Sequence, residues 1–344
     1  MPLRFRYGSY LSKEQLAELV SPHQDTLNLV RSWLTHHGIR PSSISTSQNG
    51  SWLTVTDVLI SQANQLLDAS YQLYRNLKTN ETVIRTVGYA LPTILHTHIR
   101  TVAPTTHFPS VMGMRQTPRR RSIRAAPAQA QVASEKVVTR QVPGITPSAM
   151  RWLYKTNTYR PTLPYPNSLG ILGIYGDYPS QSDLTDFMAM YRSNGIDAEF
   201  QVENVNGGKN SPNNPGDAAN FGIQYAAAIA YPTPLIFYNI SGDTEWDRDS
   251  RPIVTDMYLE WFGNILEQPF PPLTISIPYG ESEHNLPLDY AMSLCDLYAR
   301  LGAMGVTVLA ASGQDGVGAG DCDEARGIVQ FIPEFPSSCR CSVF

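Results

Sequence analysis

The sequence contains no apolar run that approaches the roughly 20 residues a helix needs to cross a bilayer. Its first ten residues, MPLRFRYGSY, also lack the apolar segment of a secretory signal peptide. Charged residues make up only 16% of the 344 positions, and hydrophobic residues make up 42%. This composition is typical of a globular protein long enough for two domains, so we expect neither a membrane-spanning nor a fibrous chain.

Cysteine is scarce, and all four cysteines lie within the last fifty residues, with no C-x-x-C spacing among them. They are Cys295, Cys322, Cys339 and Cys341. This pattern predicts one or two disulfides rather than a zinc site, with reduced thiols in the core as the alternative. We therefore predict no metal site from the cysteines.

The net charge of −4 is distributed unevenly along the chain. Residues 1–102 carry 9 basic and 6 acidic groups, residues 103–144 carry 7 and 1, and residues 145–344 carry 10 and 23. Such asymmetry indicates either an N-terminal part that docks electrostatically on the C-terminal part or a nucleic-acid patch. The first is favoured, because the basic stretch has almost no aromatic residues for base stacking.

Residues 1–102 have the pattern of a small α/β unit. A capping box from Ser12 to Gln15 opens the helix LSKEQLAEL, and TLNLVRSWL follows with apolar residues at helical spacing. SQANQLLDA is predicted as a further short helix. SWLTVTDV, YQLYRN and TVIRTVGYAL are predicted as strands, so we expect one compact unit with an antiparallel sheet.

The segment 103–144 contains five prolines and one aromatic residue, Phe108, so it is predicted to be a linker. Beyond it, short apolar runs such as LGILGIY and PLIFYNI alternate with amphipathic helical stretches. That alternation predicts a parallel sheet covered by helices on both faces. In such sheets the functional residues gather at the carboxyl ends of the strands.

A glycine-rich loop, ASGQDGVGAG, follows the predicted strand VTVLA at such a carboxyl end. It is neither a P-loop nor a dinucleotide fingerprint, and no G-x-S-x-G nucleophile motif accompanies it. Glu281, Glu283 and His284 follow another strand, LTISIPYG. From their position they are either acid/base groups or a solvated turn, and the residues alone leave both readings open.

An ordered set of stretches runs through almost the whole chain: YGSYLSKEQLAELVSP, NGSWLTVT, IRTVGYALPTILHTHIRTVAPTTHF, ITPSAMRWLY, NSLGILGIYGDYPSQSDLTDFM, ANFGIQYAAAIAYPTP, ISIPYGESEHNLPLDYAMSLC, LGAMGVTVLAASG and FPSSC. Together they resemble the sedolisin family of serine-carboxyl peptidases, most closely the fungal tripeptidyl peptidases. The resemblance implies that residues 1–102 are a propeptide that chaperones and inhibits the protease. It also implies that 103–144 is the linker cleaved on activation, and that 145–344 is a truncated subtilisin-like parallel α/β domain.

The catalytic positions depart from the family pattern. The family's catalytic helix carries E-A-N-x-D-x-Q, in which Glu is the general base for the serine and Asp orients it. Aligned on Ala219, Asn220 and Gln224, those two positions are Ala218 and Gly222, and neither side chain can transfer a proton. Asp217 is adjacent, but one residue along a helix rotates the side chain by about 100°.

The resemblance also places the family's oxyanion-hole Asp at Gln314, with Asp315 beside it. A Gln amide can still donate a hydrogen bond, so that change alone would not abolish catalysis. The nucleophilic serine of the family lies in a G-T-S motif downstream of FPxSC. This sequence has no G-T-S and ends at FPSSCRCSVF. We therefore expect no peptidase activity from the chain.

Two alternatives remain beside an inactive homologue. In the first, the chain is a fragment of an active, secreted acid tripeptidyl peptidase or the product of a misread gene for one. In the second, its propeptide inhibits an active sedolisin in trans. We expect an intramolecular contact between propeptide and peptidase domain, a peptide substrate only if the chain is active, and neither nucleic acid nor membrane as a partner. No cofactor is expected, since the family's calcium site would lie beyond the chain end. The resemblance implies an extracellular location, and a cytoplasmic one follows if the start of the chain is genuine.

Overall fold

The computed structural model describes residues 8–47, 49–75, 77, 82–108, 115–116, 145–160, 167–174, 178–205, 215–240, 256–313, 316 and 331–341. Within these ranges the protein consists of a small N-terminal unit and a larger C-terminal unit built on a parallel sheet. No helix in the described ranges is long and apolar enough to cross a membrane. The α/β fold class predicted from the sequence is confirmed.

The N-terminal unit begins with two helices, α1 (Lys13–Val20) and α2 (Gln24–His36). The predicted capping box is present: Ser12 Oγ accepts from the Gln15 backbone N–H at 3.2 Å, and Gln15 Oε1 accepts from the Ser12 backbone N–H at 2.9 Å. Val30 and Leu34 on α2 are buried, as their helical spacing predicts, and pack in a small core with Leu95.

The antiparallel pairing of this unit differs from the single sheet expected. β1 (Ile44–Thr46) pairs only with β2 (Leu53–Val55), and after α3 (Ile60–Leu67), β3 (Gln72–Arg75) pairs only with β4 (Thr82–Arg85). The described part of the unit thus holds two separate two-stranded sheets. Each strand has only three or four residues. Such short strands offer few backbone groups through which one pair could hydrogen-bond to the other.

The C-terminal unit follows in the order predicted by alternating strands and helices. After β5 (Arg115–Gln116), which lies in the joining segment 103–144, its elements are α4 (Pro147–Leu153), β6 (Leu169–Ile174), α5 (Gln181–Tyr191), β7 (Phe200–Val205), α6 (Asp217–Ala230), β8 (Leu235–Ile240), α7 (Met257–Glu267), β9 (Thr274–Ile277), β10 (Tyr279–Ser282), α8 (Leu288–Ala303), β11 (Thr307–Ala310) and β12 (Glu334–Phe335). β6 to β9 and β11 form a five-stranded parallel sheet in the order β11-β9-β6-β8-β7.

Both faces of this sheet are buried. Ile171 and Phe237 face a core shared with α5 and α6, whereas the next residues, Leu172 and Tyr238, face a core shared with α7 and α8. All four side chains are at most 2% exposed. Successive residues of a strand point to opposite faces, so the continuous apolar runs of β6 and β8 are what a sheet covered on both sides requires.

The structure adds elements that the sequence analysis did not name, among them β7 and α7. β7 is an edge strand, so its sequence FQVENV keeps polar residues at alternate positions. The structure also divides the predicted strand LTISIPYG at Pro278 into β9 and β10. A proline has no backbone N–H to donate to a ladder, so it ends β9 and the chain leaves the parallel sheet.

β10 instead belongs to a small antiparallel sheet with the order β12-β10-β5. Glu281 pairs with Phe335 on one side, and Tyr279 and Gly280 pair with Gln116 and Arg115 on the other. A two-residue strand from the segment 103–144 thus lies along an edge of the C-terminal unit.

The N-terminal unit contacts α8 and its C-terminal turn. Tyr89 Oη donates to Asp289 Oδ2 at 3.1 Å, Arg300 Nη1 donates to Ser51 Oγ at 2.8 Å, and Arg100 is ion-paired with Asp296. At the end of α8, Gly305 has φ +90°, and a Cβ there would lie 2.6 Å from the ring of Tyr10. Glycine therefore permits both the backbone turn and the close approach of the N-terminal unit.

Cys295 of α8 forms a disulfide with Cys339, with their Cα atoms 5.3 Å apart. Cys341 is exposed and forms no disulfide with another described cysteine, and Cys322 lies outside the described residues. The disulfide ties α8 to the segment that supplies β12.

Replacing Cys295 with alanine is expected to lower the free energy of unfolding by roughly 3–4 kcal/mol, because the bond closes a long loop in the unfolded chain. The loop spans 44 residues. Urea denaturation under oxidising conditions measures the change, and Cys341→Ala is the matched control, expected to alter stability little. Equal losses in the two variants would contradict a specific role for this disulfide.

Candidate functional site

The amino-terminal turns of α6 carry the positions that the sequence aligns with a catalytic helix. Asp217 is the first residue of α6 and is exposed, whereas Ala218 is only 5% exposed. Gly222 lies one turn later on the same helical face as Ala218. At Gly222 an added Cβ would meet nothing closer than Ile171 Cγ2 at 3.5 Å, so a side chain would fit at its root. Neither Ala218 nor Gly222 itself has a side-chain group that could accept a proton.

The polar residues of this helix hold α6 against α5. Asn220 Nδ2 donates to Asp183 Oδ2 at 2.7 Å, and Asn220 Oδ1 accepts from the Ser180 backbone N–H at 2.8 Å. Gln224 Nε2 donates to the Asp183 backbone oxygen at 3.3 Å. Two of the three residues on which the helix was aligned thus have a structural role here, joining the starts of two helices.

The glycine-rich loop after β11 packs against the side chain of Glu334. Gly313 has φ +83°, and a Cβ there would lie 3.1 Å from both Cγ and Oε1 of Glu334. Glu334 belongs to β12 and is 6% exposed. The loop therefore needs glycine to turn and to admit this side chain. Gln314 and Asp315 lie outside the described residues.

Glu281 lies on β10, and its carboxylate is completely buried. Among the described residues neither of its oxygens has a hydrogen-bond partner that satisfies normal geometry, but Oε1 lies 3.2 Å from Nε2 of His107. Glu283 is half-buried and His284 is exposed. Of the three residues singled out after the predicted strand LTISIPYG, the structure thus buries Glu281 completely and leaves Glu283 and His284 at least partly accessible to solvent.

His107 comes from the segment that follows the N-terminal unit, and it is 6% exposed. Its ring stacks on Tyr290 with the centroids 4.9 Å apart and the planes 25° apart. Its backbone oxygen accepts from Arg85 Nε at 2.6 Å. A side chain of the N-terminal half therefore reaches the buried carboxylate of the C-terminal unit.

Tyr290 is held in place by Asp256, the N-cap residue of α7. Its hydroxyl donates to Asp256 Oδ1 at 2.8 Å, and the same oxygen accepts from the Leu259 backbone N–H at 3.0 Å, so Asp256 also caps the helix. Burial, and then the charges of Asp256 and Glu281, raise the pKa of Tyr290 well above its ordinary value. We call Asp256, Glu281 and Tyr290, with the His107 ring that contacts Glu281 and Tyr290, the Glu281 pocket.

Sequence reasoning singled out Glu281 but missed His107, Asp256 and Tyr290. The missed residues lie far apart in the sequence, and each has an ordinary local context: a proline- and threonine-rich segment, a loop before a helix and an amphipathic helix. Glu281 was singled out by its position at the end of a predicted strand, and no comparable local signal marks the other three residues. Within the described ranges no group of three or more His, Cys, Asp or Glu side chains is placed to hold a metal ion.

Comparison with known proteins finds a family model that matches the N-terminal part and relatives that match almost the whole chain. The family described as "Pro-kumamolisin, activation domain" matches residues 2–108. A probable tripeptidyl-peptidase SED3 of Arthroderma benhamiae is 30% identical over 352 residues, covering 97% of this chain and 56% of that protein. The tripeptidyl-peptidase SED2 of Arthroderma otae is 28% identical over 359 residues, covering 98% of this chain and 58% of that protein.

The chain is homologous to proteins of the sedolisin family. This sedolisin homologue spans little more than half the length of the curated relatives it matches. Among solved structures, Pseudomonas sedolisin, a serine-carboxyl proteinase complexed with pseudo-iodotyrostatin, is similar with a TM-score of 0.40 and 19% identity, covering 58% of this chain and 52% of that one.

Replacing Tyr290 with phenylalanine is expected to make stability less sensitive to alkaline pH. The folded state raises the pKa of Tyr290, so its contribution to stability is complete below the unfolded value of about 10 and is lost as the pH rises above it. Urea midpoints between about pH 8 and 11 measure the slope. The exposed Tyr154→Phe is the control, and an equal change of slope in both variants would show that Tyr290 is not responsible.

Proposed function

We propose that the chain is a sedolisin homologue that binds peptides through its C-terminal unit but does not hydrolyse them. The observation that carries the proposal is the pair Ala218 and Gly222 on one face of α6, where the family's catalytic helix needs two carboxylates. Alanine and glycine cannot take the proton of a nucleophile or orient the group that does. Removing one member of such a set costs about 10⁴-fold or more in rate.

The neighbouring carboxylates do not replace the missing pair. Asp217 lies about 100° around the helix from Ala218. Asp183 lies on α5, where its carboxylate accepts a hydrogen bond from Asn220 and its backbone oxygen accepts one from Gln224. A base must come within hydrogen-bond reach of the nucleophile, directly or through one water, and neither residue occupies a position of the family's catalytic pair.

Peptide binding is supported by the edge of β10. The strand β5 lies antiparallel along Tyr279 and Gly280 and satisfies their backbone groups as an extended peptide would. β5 comes from the segment that joins the two units, so we infer that the chain covers its own peptide-binding edge. The contacts of the N-terminal unit with α8 hold that arrangement in place.

We also propose that the protein acts outside the cell. The Cys295–Cys339 disulfide is of a kind that persists in oxidising compartments. The similarity to fungal tripeptidyl-peptidases adds to this argument.

The decisive experiment is hydrolysis of an Ala-Ala-Phe chromogenic tripeptide by the purified chain, before and after incubation at acid pH. We expect no turnover above the uncatalysed rate, while an active tripeptidyl peptidase assayed in parallel cleaves the substrate. Asp217→Asn is the matched variant. Turnover that this variant abolishes would overturn the proposal, because it would identify Asp217 as a displaced base.

A second candidate function is inhibition of an active relative in trans, favoured by the match of residues 2–108 to an activation domain. Adding the full chain at micromolar concentration to an active tripeptidyl peptidase tests this role. Slowing that grows with the chain's concentration supports it. An unchanged rate at micromolar chain excludes it.

A further inference from the structure

We propose that the Glu281 pocket is a receptor for a cationic side chain, an imidazolium, guanidinium or ammonium group, and that His107 is the occupant supplied by this chain. One part of the inference rests on the proposed function: if the C-terminal unit binds peptides, a peptide that displaced the N-terminal half would place a basic side chain in the same pocket. The recognition itself depends on the chemistry of three side chains of the C-terminal unit.

The first argument is the isolation of the Glu281 carboxylate. It is 0% exposed, and among the described residues neither oxygen has a hydrogen-bond partner of normal geometry. Its ion-pair contact is His107 Nε2 at 3.2 Å. An ionised carboxylate buried without a counter-charge is strongly unfavourable, so a cation at this position would stabilise the ionised form of Glu281.

The second argument is the shape of the pocket beside that carboxylate. The ring of Tyr290 lies under the imidazole at 4.9 Å and 25°. A flat cation stacked on an aromatic face gains the attraction of the ring's negative surface, and a guanidinium stacks in the same way. The hydrogen bond from Tyr290 to Asp256 fixes the ring, so this surface is in place before any group binds.

The third argument is the charge around the pocket. Asp256 and Asp289 line the small cavity next to His107, together with Arg85 and Tyr290. Arg85 directs Nε to the His107 backbone oxygen and Nη1 to the Ile84 backbone oxygen. Glu281 is the carboxylate in ion-pair contact with the imidazole, while Asp256 and Asp289 add two acidic groups and Arg85 one basic group to the adjacent cavity, so acidic groups outnumber basic ones near the occupant.

The fourth argument is that the occupant is carried on a loop fixed elsewhere. The Thr86 backbone N–H donates to the Thr105 oxygen at 3.1 Å, Tyr71 Oη donates to the Pro104 oxygen at 3.0 Å, and Phe108 packs edge-on against Tyr74. The N-terminal unit therefore presents His107 as a single side chain inserted into a pocket of the other unit. An extended peptide with a basic side chain has the same form.

The test uses His107→Ala in the full chain, which removes the occupant and leaves the pocket walls. At about pH 6, where free imidazole is mostly protonated, we expect the variant to melt roughly 5 °C lower than the wild type. Millimolar imidazole, methylguanidinium or methylammonium should raise the melting temperature of the variant by several degrees and leave that of the wild type unchanged. Pyrazole, a ring of the same size that stays neutral, should not.

Two controls separate recognition of charge from filling of space. In His107→Ala/Glu281→Gln the cations should no longer raise the melting temperature. His98→Ala removes an exposed histidine that is hydrogen-bonded to Thr26, and imidazole should not stabilise that variant. Rescue by pyrazole as strong as rescue by imidazole, or rescue that persists without the Glu281 charge, would overturn the proposal.

If His107→Ala does not fold, a series at the same position decides the question. His107→Arg and His107→Lys should melt within a few degrees of the wild type, and His107→Met, of similar volume but neutral, should melt well below both. A methionine variant as stable as the arginine variant would overturn the proposal. Neither experiment measures hydrolysis or strand addition at β10, so an active chain would refute the proposed function and leave this result standing.

Discussion

The constraint on which the whole C-terminal unit depends is that its five-stranded sheet is buried on both faces. Ile171 and Phe237 must be covered by α5 and α6, and Leu172 and Tyr238 by α7 and α8. Parallel strands need a crossover between each pair, so covering both faces also fixes where each helix begins. The turns at the carboxyl edge of the sheet, including the start of α6 and the loop after β11, are positioned by that arrangement.

The residues near the start of α6 and after β11 have structural roles. Asn220 and Gln224 join α6 to α5, and Gly313 permits the turn after β11. Ala218 is buried, and at Gly222 the packing leaves room for a Cβ. Packing does not require a carboxylate at either position, so under the proposed function the fold is kept while the catalytic groups are absent.

Sequence alone predicted the features that depend on neighbouring residues. The capping box of α1 follows from Ser12 and Gln15, and the parallel sheet follows from uninterrupted apolar runs with helices between them. The contact of His107 with Glu281 could not be predicted, because 174 positions separate them and neither has a local pattern that points to the other. The division of one predicted strand by Pro278 was readable in principle, since proline interrupts a ladder, but the apolar pattern continued across it.

The disulfide between Cys295 and Cys339 gives these parts a shared frame. α8 carries Tyr290 and the carboxylates that meet the N-terminal unit, and the segment bonded to it pairs with β10 through β12. The α8 wall of the pocket and β12, which pairs with β10, are therefore cross-linked. Under the two proposals above, any coupling between the sites is reciprocal: whatever free energy an occupied pocket contributes to ordering β10, a peptide bound at β10 returns to the pocket.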